Sequence, residues 1–332
     1  MSMEHPLADQ ARAALPLWGI SPLWACVPFS DSENAVFHLV PEQGAEAPLS
    51  FVLRLHRPHY HTSQTILSEI QWLLSLQNSG AVAVPRPVPG LDGQYVLSAA
   101  PGLRFTATLL EYLPGTCADQ GPGNAALYEK IGAVAAKLHL HAAAWTPPAG
   151  FTRPHWAFSD CLGPQGRWGD WRTILAAQHR SALPLVERAA NMVQARLTGY
   201  GKTRYSLIHS DLRAANILEN NNSLAVIDFD DASYSWRMFD CAASFSFCED
   251  SPFLGEWVAA WLRGYKAALA PGSPLLPTAC DEDMIPCFLL MRRLSLLAWK
   301  TTRKNLTQGA DPARFAEASI ELAHSFLEKR LM

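Results

Sequence analysis

No two cysteines of this chain stand in C-x-x-C spacing. The seven present, Cys26, Cys117, Cys161, Cys241, Cys248, Cys280 and Cys287, are odd in number and scattered. That excludes the disulfide framework of a small secreted domain, and free thiols in a reducing compartment are expected. An excess of one charge is also lacking: 27 Lys+Arg against 30 Asp+Glu leave −3. Such a balance offers no general attraction to a phosphate backbone, so no nucleic-acid partner is expected. No clean transmembrane run occurs either. The uncharged stretch 13–30 is interrupted by Pro16, Gly19, Pro22 and Pro28, and proline removes helix hydrogen bonds. No basic segment precedes it, as a signal peptide would require. It reads as irregular, Trp-containing structure in a soluble cytoplasmic protein with no membrane partner. Long internal repeats are missing, which excludes a solenoid.

What is present is apolar material. Hydrophobic residues make up 49% of 332 and charged residues 17%, enough for a large core and too little charge for a disordered chain. The length allows one large domain or about two. The first third reads as strand-rich. Ala35–Val40 and Leu49–Leu55 are β-type runs separated by Pro41, Gly44 and Pro48. Ile66, Ile70, Leu73 and Leu74 recur at helix spacing over 65–76, and Asn78-Ser79-Gly80 stops that helix. Two further strands are predicted around 95–99 and 105–112. Leu113-Pro114-Gly115 breaks the pattern. Beyond it, 125–144 and 171–197 read as helices, Tyr205–Ile208 and Leu224–Ile227 as short strands, and 253 to the C-terminus as helices. The layout is α+β, a small β-rich lobe over 1–113 and a larger, mainly helical lobe over 114–332.

The informative segment is Leu207-Ile208-His209-Ser210-Asp211-Leu212-Arg213-Ala214-Ala215-Asn216-Ile217-Leu218, followed by Val226-Ile227-Asp228-Phe229-Asp230-Asp231. A strand ends and a loop presents Asp211. Asn216 follows five residues on, and a turn at 220–222 leads to a second strand that delivers Asp228. Placing the two strand ends side by side lets Asp211, Asn216 and Asp228 converge. Two carboxylates and a carboxamide are hard oxygen ligands, suited to Mg²⁺ that takes its other ligands from water and phosphates.

The H-x-D-x-x-x-x-N spacing closely resembles a kinase catalytic loop with its metal-binding Asp. By that resemblance Asp211 accepts the acceptor hydroxyl's proton, and Asn216 and Asp228 hold Mg²⁺ on the phosphates of ATP. Arg213 reaches the transferring phosphoryl group, and His209 braces the loop. Arg54, within Phe51–Leu55, and Glu69, on the next helix, supply the expected cation and its acidic partner, with Arg where Lys is usual. The segment Pro28–Asn34 stands where a phosphate-covering loop belongs but holds no glycine, leaving backbone N–H groups and the Ser30 and Ser32 hydroxyls to face phosphate. Glu111 and Leu113 offer backbone groups to the base. Together with Leu110–Gly115, the run Phe51–Pro58, Trp72 and the helix Arg292–Lys304 with Trp299, these motifs resemble the aminoglycoside phosphotransferase-like kinase family over about 30–305, nearest its stress-response kinase and type II homoserine kinase branch. The resemblance implies a bilobal protein-kinase-like fold with ATP in the cleft under Pro114. It implies an ATP- and Mg²⁺-dependent phosphotransferase acting on a hydroxyl of a small molecule, homoserine-, amino-alcohol- or aminoglycoside-like. A Ser/Thr protein kinase of the stress-response type is an alternative, and so is a catalytically silent nucleotide-binding regulator. The chain has Asp228-Phe229-Asp230 rather than D-F-G and no Ala-Pro-Glu, so no activation loop is expected.

Other patterns carry less. Gly199–Thr203 lacks the first glycine of a P-loop, since residue 196 is Arg. His56, His59 and His61 read as a solvated loop. The Trp145, Trp156, Trp168 and Trp171 group reads as core packing. Arg292, Arg293, Lys300, Arg303 and Lys304 would favour an anionic or zwitterionic acceptor if they faced the cleft, and otherwise form a solvated face. The role of Asp230 and the oligomeric state stay open.

Overall fold

A computed structural model describes residues 5–31, 34–41, 50–98, 100, 103–120, 123–221, 223–302 and 312–331. In chain order its elements are α1 (Ala8–Ala14), β1 (Ala25–Asp31), β2 (Asn34–Val40), β3 (Phe51–His56), α2 (Ser63–Ser79), β4 (Pro87–Val88), β5 (Thr106–Glu111), β6 (Thr116–Cys117), α3 (Ala125–Ala144), α4 (Phe158–Leu162), α5 (Trp171–Gln178), α6 (Leu183–Tyr200), β7 (Tyr205–Ile208), β8 (Ile217–Asn220), β9 (Ser223–Val226), β10 (Ser233–Trp236), α7 (Phe239–Ser244), α8 (Leu254–Ala267), α9 (Ala279–Asp283), α10 (Ile285–Thr302) and α11 (Pro312–Leu327). The chain divides into two units. One comprises residues 1–115, 146–153 and 218–230, the other 116–145, 154–217 and 231–332.

The first unit is built on an antiparallel sheet of order β1-β2-β3-β5-β4. Alternation along the strands sends Ala35, Phe37, Leu39, Leu53, Leu55, Ala107 and Leu109 into one core with Ala11, Leu15 and Trp18. Each leucine or phenylalanine among them contributes about 1.5–3 kcal/mol by burial. The same alternation turns Val36, Arg54 and Thr108, cross-strand neighbours, to the other face. Helix α2 starts in a capping box of Thr62 and Thr65 and ends at Gly80 with φ 64°, a conformation glycine adopts without Cβ strain. Ile66, Ile70, Leu73 and Leu76 form its buried stripe, and Glu69 lies on the same stripe.

Three expectations change. The stretch 13–30 is not irregular: it supplies the end of α1, a 3-10 turn over Leu15–Trp18 and most of β1. Strand β1 is an edge strand, and its register shifts between Pro28 and Ser30. An edge position and a bulge are where proline is tolerated in a sheet. Second, 95–99 contributes no strand among the described residues. Leu97 alone bridges Ala107, while β4 pairs with β5 through Leu110 and Leu109. Third, β7 pairs with β10, Ile208 opposite Ser233, and β9 neighbours β8.

The second unit is mainly helical. Asn124 caps α3 by accepting the Leu127 N–H at 2.9 Å. Helices α3 and α8 touch backbone to backbone. A Cβ on Gly132 would lie 2.0 Å from the Trp261 carbonyl oxygen, and one on Gly264 would lie 1.8 Å from that of Glu129. Only glycine permits that crossing. Trp156, Trp168 and Trp171 are buried core residues.

Candidate active site

In the first unit a buried cation is surrounded by acids. Arg54 Nη1 lies 2.8 Å from Glu69 Oε1, Nη2 3.1 Å from Asp228 Oδ1, and Nη1 3.6 Å from Asp230 Oδ1. Arg54 is 6% exposed and Glu69 2%, so removing either partner would strand a buried charge. Burial alone would lower the Arg54 pKa, yet the three carboxylates hold it above its ordinary value. The two neighbouring acids differ. The Asp228 side chain is 47% exposed, on a residue with φ 62°, a conformation that costs a non-glycine residue energy and clusters at functional sites. Asp230 is buried. Its Oδ2 is 3.5 Å from His61 Nε2, and its carbonyl oxygen accepts from Arg153. Burial would raise the Asp230 pKa, but the hydrogen bond and charge of His61, with Arg54, hold it low. His56 and His61 are therefore not a solvated cluster: His56 is buried with Nε2 3.0 Å from Thr108 Oγ1.

The glycine-free hairpin is held by charge instead. Asp31, at the end of β1, pairs with Arg57 beyond β3 and lies 3.4 Å from His5. Ser30 is exposed on β1 opposite Val36, and Ser32 lies outside the described residues. The rings of Phe29, His38 and Tyr112 stack, with centroids 5.1 Å apart for Phe29–His38 and 4.3 Å for His38–Tyr112. Glu111, the last residue of β5, donates its N–H to the Arg86 carbonyl at 2.8 Å, and Leu113 follows two residues later.

In the second unit the charges are reversed. Asp211 lies three residues beyond the end of β7. Its Oδ2 accepts from Asn216 Nδ2 at 2.8 Å and from Arg213 Nε at 3.3 Å, and its Oδ1 from Arg292 Nη2. Asn216 Nδ2 also donates to the Asp211 carbonyl at 2.8 Å. The amide nitrogen is thereby engaged, leaving Oδ1 as the hard donor. Burial would raise the Asp211 pKa, but Arg213, Arg292 and His209 hold it below the usual carboxylate range. The loop backbone is fixed from α7: Asp240 accepts the N–H of His209 at 3.1 Å and of Ser210 at 2.7 Å. His139 Nε2 meets the same carboxylate at 3.0 Å.

A cavity of about 270 Å³ adjoins this loop within the second unit. Arg213, Ala214 and Ala215 line it, with Asp119, Tyr128, Phe247 and Trp257. The Tyr128 and Trp257 ring centroids are 5.0 Å apart. The basic helix does not supply a substrate-facing patch. Arg292 and Arg293 are 1% and 2% exposed and engaged by Asp211 and Glu249. Lys300 packs over Phe247 and Phe315, and Arg303 and Lys304 lie outside the described residues. Among the described residues no three or more His, Cys, Asp or Glu form a metal cluster, and no helix is long and apolar enough to cross a membrane.

A family profile described as the phosphotransferase enzyme family, APH, matches residues 26–275. The chain belongs to this family. Its α+β class is that of the kinase-like fold. A solved aminopropanol kinase, described as microcompartment-associated, is 33% identical, with a TM-score of 0.84 over 97% of this chain and 98% of that one. An amicoumacin kinase complexed with AMP-PNP, Ca²⁺ and amicoumacin superposes with a TM-score of 0.71 at 21% identity, covering 98% and 94%. At that identity it bears on the fold alone. An uncharacterized protein of Deinococcus radiodurans is 35% identical over 195 residues, 58% of this chain. The chain spans about half of that relative's length, 54%.

Proposed function

We propose that this chain transfers the γ-phosphate of ATP, with Mg²⁺, to the hydroxyl of a small amino alcohol. The observation that carries the reading is the cavity beside the catalytic loop. At about 270 Å³ it falls below the range typical of drug-sized ligands. Tyr128, Trp257 and Asp119 line it, two aromatic residues and an acid of the kinds that hold an ammonium group. The aminopropanol kinase that aligns over nearly the whole chain supports the same acceptor class.

In this reading the lobe of residues 1–113 takes the nucleotide. Arg54, ordered by Glu69, contacts its phosphates. Ser30 lies on the hairpin over them, and Glu111 and Leu113 offer backbone groups to the base. As the motif resemblance implies, Asp228 with its half-exposed carboxylate and Asn216 with its amide oxygen would each be a hard donor to Mg²⁺, which needs few protein ligands when phosphates supply the rest. A bound Mg²⁺ would neutralise charge on the phosphoryl oxygens. Asp211 Oδ2 aligns the acceptor hydroxyl. The alcohol oxygen bonds to the γ-phosphorus as the β–γ bridging bond breaks. ADP leaves with that electron pair, and the hydroxyl proton passes to Asp211. Arg213 stabilises charge on the transferring group.

The test is a labelled-ATP screen with 1-amino-2-propanol, ethanolamine, homoserine, choline, kanamycin and a basic protein. Label should appear on an amino alcohol, and Asp211→Asn should lower kcat by about 10²–10⁴-fold with Mg·ATP binding retained. Label only on the protein would replace the reading with a protein kinase. Equal ATP turnover by wild type and Asp211→Asn would replace it with a silent regulator.

A further inference from the structure

Arg292 sits on α10, far along the chain from the catalytic loop, yet its guanidinium is consumed by that loop. Nη2 donates to Asp211 Oδ1, Nη1 to the Ser210 carbonyl at 3.3 Å, and Nε to Ser246 Oγ at 2.9 Å. The guanidinium carbon lies 5.1 Å from the Trp168 ring centroid. Ser210 has φ 68°, a left-handed conformation that persists in a non-glycine residue only where its surroundings over-determine it. Its N–H is held by Asp240 and its carbonyl by Arg292.

We infer that Arg292 is the positioning residue of the reaction, one that sets the orientation of the Asp211 carboxylate without touching substrate. The inference rests on the phosphotransfer reading above. Asp211 has two cationic neighbours of different character. The Arg213 side chain is 35% exposed and lines the acceptor cavity, so it is placed to follow substrate. The Arg292 side chain is 2% exposed, with all three nitrogens engaged, so it is placed to stay still. Holding Oδ1 from the buried side leaves Oδ2 as the oxygen presented beside Asn216 and Arg213. Without Arg292 the carboxylate can rotate onto Arg213, and the acceptor loses its aligning oxygen. A planar fork can hold Oδ1, the Ser210 carbonyl and Ser246 at once. A lysine ammonium, reaching as a single point, cannot.

The adjacent Arg293 is an internal control. It is as deeply buried, pairs with Glu249 at 2.8 Å and donates to Ser319 Oγ at 2.9 Å. None of these partners belongs to the catalytic loop.

The experiment compares Arg292→Lys, Arg292→Ala, Arg293→Lys and Asp211→Asn in the full chain. It reads thermal midpoint, Mg·ATP Kd by fluorescent-nucleotide titration, and kcat and acceptor KM. Arg292→Ala should lose about 100-fold in kcat, the scale of a small misplacement of a reacting group, with Kd and KM within about threefold. Arg292→Lys should recover part of that loss, and added guanidinium should restore Arg292→Ala at least about tenfold. Combining Arg292→Ala with Asp211→Asn should be no worse than Asp211→Asn alone, since the two act as a unit. Arg293→Lys should lower the thermal midpoint and leave kcat of the folded enzyme unchanged. The inference is overturned if folded Arg292→Lys and Arg292→Ala keep wild-type kcat. It is also overturned if their loss lies in KM or if guanidinium restores nothing. An active Asp211→Asn would overturn the phosphotransfer reading itself, and that outcome is separate from any result at Arg292.

Discussion

The two units hold their central charges in opposite ways. In the first, one guanidinium, Arg54, is ringed by the carboxylates of Glu69, Asp228 and Asp230. In the second, one carboxylate, Asp211, is ringed by the guanidiniums of Arg213 and Arg292 and the Asn216 amide. Acids are in surplus in the first arrangement and bases in the second. In the proposed phosphotransfer, the acids would face a divalent cation and the bases a phosphoryl group. His61 and Arg153 beside Asp230 narrow the first surplus, and the Asp240 carboxylate on the loop N–H groups narrows the second.

The largest effect expected from breaking this contrast is at Arg54. Arg54→Met leaves Glu69 buried without its cation, a change worth about 3–5 kcal/mol when a buried pair is broken. The thermal midpoint should fall, and kcat/KM for ATP should drop by at least about 100-fold. Arg54→Lys keeps the charge and should stay within about tenfold of wild type with a near-native midpoint. If Met and Lys behaved alike, the charge at this position would not be what organises the acids.

A smaller effect is expected at Asp119. Asp119 lines the same cavity as Arg213. Asp119→Asn should raise KM for the amino alcohol about threefold, the scale of an exposed charge pair, and leave kcat and KM for ATP unchanged. The same variant should leave KM unchanged for an uncharged diol of similar size. A parallel rise for both acceptors would detach Asp119 from the ammonium group.

The sequence displays the two arrangements unequally because their contacts differ in range. Asp211 and Asn216 are five residues apart and bond directly, so spacing alone places them together. Arg54 and Glu69 are fifteen apart, on adjacent elements whose periodicities both point inward. Arg292 is 81 residues from Asp211, and nothing in the run of bases around it marks one as the partner of a loop carboxylate. The helix reads as a basic face, and only packing separates Arg292 from Arg293. Asp240 escapes for the same reason: its partners are 30 and 31 residues away. Strand β1 escapes for another. It is exposed at most positions, so it lacks the alternation by which a half-buried strand is recognised.

The smallest effect tests whether the acid surplus of the first unit is left for a cation or is quenched by a neighbouring histidine. His56 is buried beside this cluster with Nε2 on Thr108. Burial first, then the charges of Arg54, His61 and Arg153, push its pKa down to about 3 against the pull of Asp230. The ring is therefore neutral in the folded protein. The unfolded chain takes up a proton at this residue near pH 6.5. Between those values the unfolded state binds more protons, so stability falls as pH drops from about 6.5 toward 3 and is flat above. The slope from this residue is on the order of 1.4 kcal/mol per pH unit. His56→Gln removes the titrating ring, and its thermal midpoint between pH 8 and pH 4 should decline less steeply than that of wild type, with kcat at pH 8 unchanged. Parallel curves would mean that His56 is already protonated in the folded protein. A cationic ring there would add to the positive charge that Arg54 and His61 already bring to Asp230, and the contrast between the two units would shrink accordingly.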